Sequence, residues 1–269
     1  MCIGMLSKVF KVFDRPAADP IGAQLPLMGS AWPVTILMLI YFLIVLKYGK
    51  KCMENRNPYD ITKIIIGYNL FQVIYNGVLF CFCFYNYVID PIYDLSCMTI
   101  LPLDHPSKNI ERTITYAFIV NKIIDLLDTI FFVLRKSYKQ ITVLHVYHHA
   151  LMVYYTWWVH RIYGVGGQFI TTAMLNTWIH TIMYFYYMIS AIYPGLKDRL
   201  WWKKYITIFQ IIQFTIIISH SLYILIFNPE CKYPLILHFM IISIAFTFLV
   251  MFTKFYIKTY VKPRNQKKH

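Results

Sequence analysis

Leu144-His145-Val146-Tyr147-His148-His149 lies inside the long apolar run 141–159. Read as a helix, its three histidines project from one broad face, because residues three and four apart are neighbours there. The flanking Ile141, Val143, Leu144, Ala150, Leu151, Met152 and Val153 belong in lipid or in a buried core. Clustered imidazole serves packing poorly, and ionisable groups in such a setting mark chemistry. The stretch therefore reads as a membrane helix with a reactive face.

The same pattern extends along the chain. Of 269 residues, 58% are hydrophobic and 14% charged, against about 25% charged in soluble domains. The apolar residues come in blocks at 32–48, 62–88, 113–134, 141–159, 168–192, 204–227 and 235–257. Each is long enough for a hydrocarbon core about 30 Å thick. The expectation is an all-α polytopic membrane protein with seven transmembrane helices. One membrane-embedded domain covers 1–269, with an arm at 1–31 and a basic tail at 258–269. No compact apolar run with a small-residue cleavage site precedes the first block, which reads as an uncleaved anchor.

Alternating loops divide the basic residues unevenly. Eighteen lysines and arginines fall in the loops 47–63, 135–140 and 193–204 and in the stretch from 254 onward, and seven fall on the other side. The positive-inside bias makes the richer side cytosolic and places the N-terminus in the lumen. Cys97 and Cys231 both fall on the poorer side; in an oxidising lumen they can pair. The net charge of +14 sits mostly on the cytosolic face. It suits anionic lipid or a polyanionic soluble substrate. Its spread over loops framing a membrane bundle argues against nucleic acid.

Other segments add polar groups at helical spacing. Tyr68, Asn69, Gln72 and Asn76 form a stripe on the second span. Lys122, Asp125 and Asp128 share a face of the third and can partly neutralise one another. They read either as a structural ion pair or as one wall of a cavity. Asn176, His180, Tyr184 and Tyr187 line the fifth span, and Thr207, Gln210 and Gln213 the sixth. At 1.5 Å per residue, His148, Asp128, Gln210 and Tyr187 each lie roughly 8–10 Å in from a cytosolic helix end, with His180 deeper at about 18–20 Å. Independent structural residues need not share a depth; a reaction chamber requires it.

Together these segments resemble the ELO family of very-long-chain fatty acid elongases, the membrane 3-ketoacyl-CoA synthases. The likeness is carried by Met53-Glu54-Asn55-Arg56, by the charged motif Lys122–Thr129, by the His-x-x-His-His box at His145–His149, by the run Asn176–Tyr187 and by Thr207–Gln213. Asp125 stands where the family usually has Glu. The resemblance implies an endoplasmic reticulum protein in which helices two to seven form an inverted-repeat barrel around a narrow acyl tunnel. It implies condensation of acyl-CoA with malonyl-CoA to a 3-ketoacyl-CoA two carbons longer, with loss of CO2 and CoA. The expected partners are those two substrates, membrane lipid, and the ketoacyl reductase, dehydratase and enoyl reductase of the elongation cycle. No metal or cofactor is expected.

No Ser or Cys lies beside the histidine box, and imidazole can itself be the nucleophile. His148 is the expected acyl acceptor. His145 and His149 orient it and handle protons, and His180 and Asn176 meet the thioester or malonyl carboxylate. Lys122, Asp125, Asp128, Arg135, Tyr184, Tyr187, Lys204, Gln210 and Gln213 are the expected substrate-binding set. Two other classes compete. A di-iron desaturase or hydroxylase needs about eight histidines at one membrane face, and His105, His160, His220, His238 and His269 are badly placed for that. A small transporter would hold its polar site at the midplane rather than toward one side.

Overall fold

Ser30 opens the first long helix by accepting a hydrogen bond from the Trp32 amide at 3.3 Å. That satisfies one of the N–H groups a helix start leaves over. The computed structural model describes residues 16–164, 166–196 and 202–261. Residues 1–15 of the arm, Lys197 and Arg199, and the tail from 262 lie outside the described residues.

The helix α1 runs Ala31–Met53 and widens into a π turn over Ile44–Tyr48. Gly49 closes that turn against α4 (Leu127–Leu134). A side chain there would begin 2.5 Å from the Ile44 carbonyl oxygen and 2.8 Å from Val133, so only glycine fits. The helix α2 spans Thr62–Ile89, α3 Lys108–Ile124, α5 Val143–Tyr163, α6 Phe169–Ile192, α7 Lys203–Phe227 and α8 Leu235–Val261. Gly164 ends α5 in the left-handed region at φ 65°, a conformation that costs other residues more.

Four of these helices, α1, α2, α7 and α8, are long and apolar enough to cross a membrane. The chain is a polytopic membrane protein on that count, and the expectation of seven spans is corrected to four. The reasons lie in the three segments that drop out. The block 113–134 is two helices, α3 and α4, broken at Asp125 and Leu126. The face that α3 buries includes Lys108, Glu111, Arg112 and Lys122. The helix α5 carries four histidines and Arg161, and α6 carries Asn176, His180 and a series of Thr and Tyr hydroxyls. Aromatic and β-branched carbon made these blocks look apolar in the sequence, but their polar groups lower the hydropathy of each helix as a whole.

The expected barrel of helices two to seven is corrected as well. No strand occurs among the described residues, and the helices divide between two compact units. One unit takes Met1–Thr62 with Ile100–Gly166, and the other takes Lys63–Thr99 with Gly167–His269. The division cuts across chain order, since α2 leaves its neighbours α1 and α3 and joins the unit of α6, α7 and α8.

In the first unit, Met28, Val34, Met38 and Tyr41 pack with Ile119, Leu126, Val153 and Trp157. The Trp157 indole donates to the Leu27 carbonyl at 2.9 Å. Burying so large a ring is the main apolar gain here. Asp19 accepts from Arg112 Nε at 2.6 Å and Nη2 at 3.1 Å, and from the Ile21 and Gly22 amides at 3.1 Å. Lys108 and Glu111 form a second buried ion pair.

In the second unit, α8 packs along α7, and Phe214 lies 5.4 Å from Phe248 and 5.5 Å from Phe252, ring to ring. Cys97 and Cys231 are joined in a disulfide. Gln168 donates to the Ser221 hydroxyl at 2.6 Å, and Thr171 donates to the Tyr87 hydroxyl at 3.1 Å. These buried polar bonds tie the start of α6 to α7 and α2.

Candidate functional site

Thr142 sets the position of the histidine box. It has extended backbone, caps α5, and accepts from the His145 amide at 3.2 Å. His145, His148 and His149 therefore occupy the first two turns of α5. The positive end of a helix dipole lies there, which favours charge developing on an anion. The His145 and His149 rings are 4.3 Å apart at 60°, and those of His148 and His149 are 5.3 Å apart and edge to face. His149 is buried, and the other two are half-buried. Phe132 packs on His145 at 5.2 Å.

The charged motif surrounds the break between α3 and α4. Lys122 donates to Asp125 at 2.7 Å, and both are about 1% exposed. Lys122 also lies 5.1 Å over the Phe118 ring. Asp125 caps the C-terminus of α3 at the break, and Asp128 falls in the first turn of α4, where a carboxylate suits the dipole. The next residue, Thr129, is fully buried and binds two partners. Its hydroxyl is 2.8 Å from His145 Nε2 and 2.9 Å from the Tyr41 hydroxyl. Arg135 is exposed at the far end of α4. The Met-Glu-Asn-Arg segment meets a cleft of about 470 Å³ lined by Tyr48, Met53, Arg56, Tyr59 and Val133.

The remaining expected residues belong to the second unit. On α6, Asn176, His180 and Tyr184 are buried and Tyr187 is 41% exposed. Tyr184 stacks edge to face on His180 at 5.7 Å and on Tyr187 at 6.1 Å. Its hydroxyl is 3.5 Å from that of Tyr68, which accepts from Gln72 Nε2 at 3.1 Å. Asn76 donates to Gln72 at both its backbone oxygen (2.8 Å) and its Oε1 (3.0 Å). On α7, Gln213 is buried, Gln210 half-buried and Lys204 exposed over Tyr205 at 5.0 Å. The structure thus brings together the box with Thr129 in one unit, and Asn176, His180, Tyr184 and Tyr187 in the other. Among the described residues, no group of three or more His, Cys, Asp or Glu is gathered to hold a metal ion.

Sequence reasoning missed Tyr41. A single tyrosine in the apolar run of α1 carries no periodic signal, and its partner is 88 residues away. Thr129 was legible only as part of a motif. The stripe of Tyr68, Gln72 and Asn76 was visible as inward-facing, but nothing in its spacing tied it to Tyr184.

The model of the GNS1/SUR4 (ELO) family matches residues 26–268. "Very long chain fatty acid elongase F" of Drosophila melanogaster is 40% identical over 245 residues, which cover 91% of this chain and 94% of that protein. "Very long chain fatty acid elongase 4" of Homo sapiens is 36% identical over 253 residues, covering 93% and 78%. "Very long chain fatty acid elongase 7" of Rattus norvegicus is 36% identical over 262 residues, covering 96% and 92%.

Proposed function

We propose that this chain, which belongs to the GNS1/SUR4 (ELO) family, is a very-long-chain 3-oxoacyl-CoA synthase that condenses a long-chain acyl-CoA with malonyl-CoA. The observation that carries the reading is the contiguous imidazole trio at the N-terminus of α5, with its rings 4.3 and 5.3 Å apart. No Ser or Cys occurs on α5, so the group able to take an acyl chain there is imidazole.

In the first half-reaction a ring nitrogen of His148 attacks the thioester carbonyl. The C–N bond forms, the C–S bond breaks, and CoA leaves as a thiolate that takes up a proton. In the second, malonyl-CoA loses CO2, and the electron pair of the broken C–C bond becomes an enolate. The enolate carbon attacks the acyl carbonyl and expels His148. The product is a 3-ketoacyl-CoA two carbons longer. His145 and His149 position the nucleophile and carry protons. His180 and Asn176 meet the thioester or the malonyl carboxylate. Tyr184, Tyr187, Gln210 and Gln213 hydrogen-bond the pantetheine arm, and Arg135 and Lys204 meet the CoA phosphates. Lys122, Asp125 and Asp128 hold the motif that carries Thr129.

The protein works as one domain of the endoplasmic reticulum membrane. The Cys97–Cys231 disulfide supports that placement, since an oxidising compartment such as the reticulum lumen preserves such bonds. The product is taken up by the reductases and dehydratase that complete each two-carbon cycle.

Microsomes from cells expressing the chain test the proposal. Incubated with labelled malonyl-CoA and a ladder of acyl-CoA lengths, they should yield 3-ketoacyl-CoA two carbons longer than one part of the ladder. His148→Ala should abolish that product. Equal labelling by the wild type and His148→Ala would contradict the assignment.

A further inference from the structure

Resting on that reading, we infer that Tyr41, acting through Thr129, holds His145 in the tautomer with its proton on Nδ1, so that His145 serves as a donor and not as the nucleophile. Three atoms form the chain: the Tyr41 hydroxyl, Thr129 Oγ1 at 2.9 Å, and His145 Nε2 at 2.8 Å beyond it. Tyr41 is 4% exposed and Thr129 is fully buried, so the bond between them is shielded from water.

The count of protons decides the direction. Thr129 Oγ1 has one proton to give, and the Tyr41 hydroxyl has one. Among the described residues, Thr129 is the hydrogen-bond partner of the Tyr41 hydroxyl. A buried phenol proton needs an acceptor. Tyr41 therefore donates to Thr129, and Thr129 spends its own proton on His145 Nε2. Nε2 is then the acceptor end of a neutral ring, and Nδ1 carries the hydrogen. In the reverse arrangement Nε2–H would donate to Thr129 and Thr129 to Tyr41, which strands the phenol proton in the core.

This separates the roles within the box. The Nε2 lone pair of His145 is occupied, so that atom neither attacks a thioester nor removes a proton. The other edge of the ring presents Nδ1–H, a donor suited to an acyl oxygen as it gains negative charge. Thr142 supports the same placement by fixing the His145 backbone amide. Tyr41 touches no substrate in this account. It is a positioning residue contributed by α1.

Full-length protein labelled with 15N-histidine and held in lipid nanodiscs tests this by magic-angle-spinning NMR, with His145→Gln identifying the signal. The wild type should show His145 protonated at Nδ1 and bare at Nε2. Tyr41→Phe, which keeps the ring, should relax this to a mixture of tautomers. It should also lower kcat by about tenfold with KM for acyl-CoA unchanged, the pattern of a lost transition-state interaction. Thr129→Val should do the same, the double variant should be no worse than Thr129→Val alone, and Thr129→Ser should restore both signal and rate. Finding Nε2 protonated in the wild type, or an unchanged tautomer in Tyr41→Phe, would overturn the inference. The spectrum does not depend on turnover: absence of elongation alongside the Nδ1–H tautomer would sink the functional reading and leave the tautomer assigned.

Discussion

Lys122 and Asp125 show at the scale of single residues why the site is costly to build. Each is about 1% exposed, and they face one another at 2.7 Å. Removing one partner from a buried pair strands the other charge, at a cost of about 3–5 kcal/mol. Asp125→Ala should therefore lower the thermal midpoint of the purified protein sharply, whereas Lys122→Met with Asp125→Leu should be milder than Asp125→Ala alone; the melting temperatures in one detergent check the order. Asp19 makes the stability of the fold depend on pH. Burial pushes its carboxyl up, but the hydrogen bond from Arg112, the Gly22 amide and the charges of Arg112 and Lys108 outweigh burial and hold it below its ordinary value of 3.8. A carboxyl depressed in the folded state stabilises the fold above that ordinary value, and the gain is lost as pH falls through the folded value. Melting temperature should drop more steeply below pH 3.8 in the wild type than in Asp19→Asn, which has no carboxyl to titrate there. Equal slopes would remove Asp19 from the account. The sequence made the charges at Lys122 and Asp125 visible at once. It could not show the Asp19–Arg112 pair, because those residues are 93 positions apart and share no motif.

At the scale of elements, helix ends decide where the reactive groups stand. Thr142 caps α5 and holds the His145 amide at 3.2 Å. Loss of such a cap costs about 1 kcal/mol and frays the first turn. Thr142→Ala should leave most of the stability but reduce kcat several-fold more than that loss alone explains, since the box sits in the frayed turn; Thr142→Ser should recover it. Parallel measurement of melting temperature and turnover separates the two effects. The cap was not legible in the sequence, because Thr142 falls inside the apolar run 141–159. The break at Asp125 was not legible either, because neither Gly nor Pro marks it and the offsets of three ran unbroken across it. The hydrophobic blocks located the helices α1, α2, α7 and α8 within a few residues. They misjudged α3, α5 and α6 because counting apolar residues does not register that Glu111, His149 and Asn176 are buried polar groups on those faces.

At the scale of the whole molecule, charge and covalent ties matter more than any one contact. A net charge of +14 gives a field that a polyanion such as CoA feels at a distance. Salt screens that field over about 8–10 Å at 0.10–0.15 M ionic strength. KM for acyl-CoA should therefore rise as salt is increased across that range while kcat holds. A flat response would assign the basic face to lipid contact alone. The family of the chain could be read from five motifs in order, and the match over residues 26–268 bears it out. The division of the helices into two units could not be read, because it depends on α2 joining α6–α8 across the intervening sequence.

The central claim is that an imidazole of the box takes the acyl group from CoA. Intact-protein mass spectrometry after mixing the purified protein with one acyl-CoA, and no malonyl-CoA, tests it most directly. The account predicts a gain in mass of one acyl group, mapping to His148, abolished by His148→Ala and discharged when malonyl-CoA is added. A protein that stays unmodified with acyl-CoA alone, yet forms elongated product once malonyl-CoA is present, would contradict it.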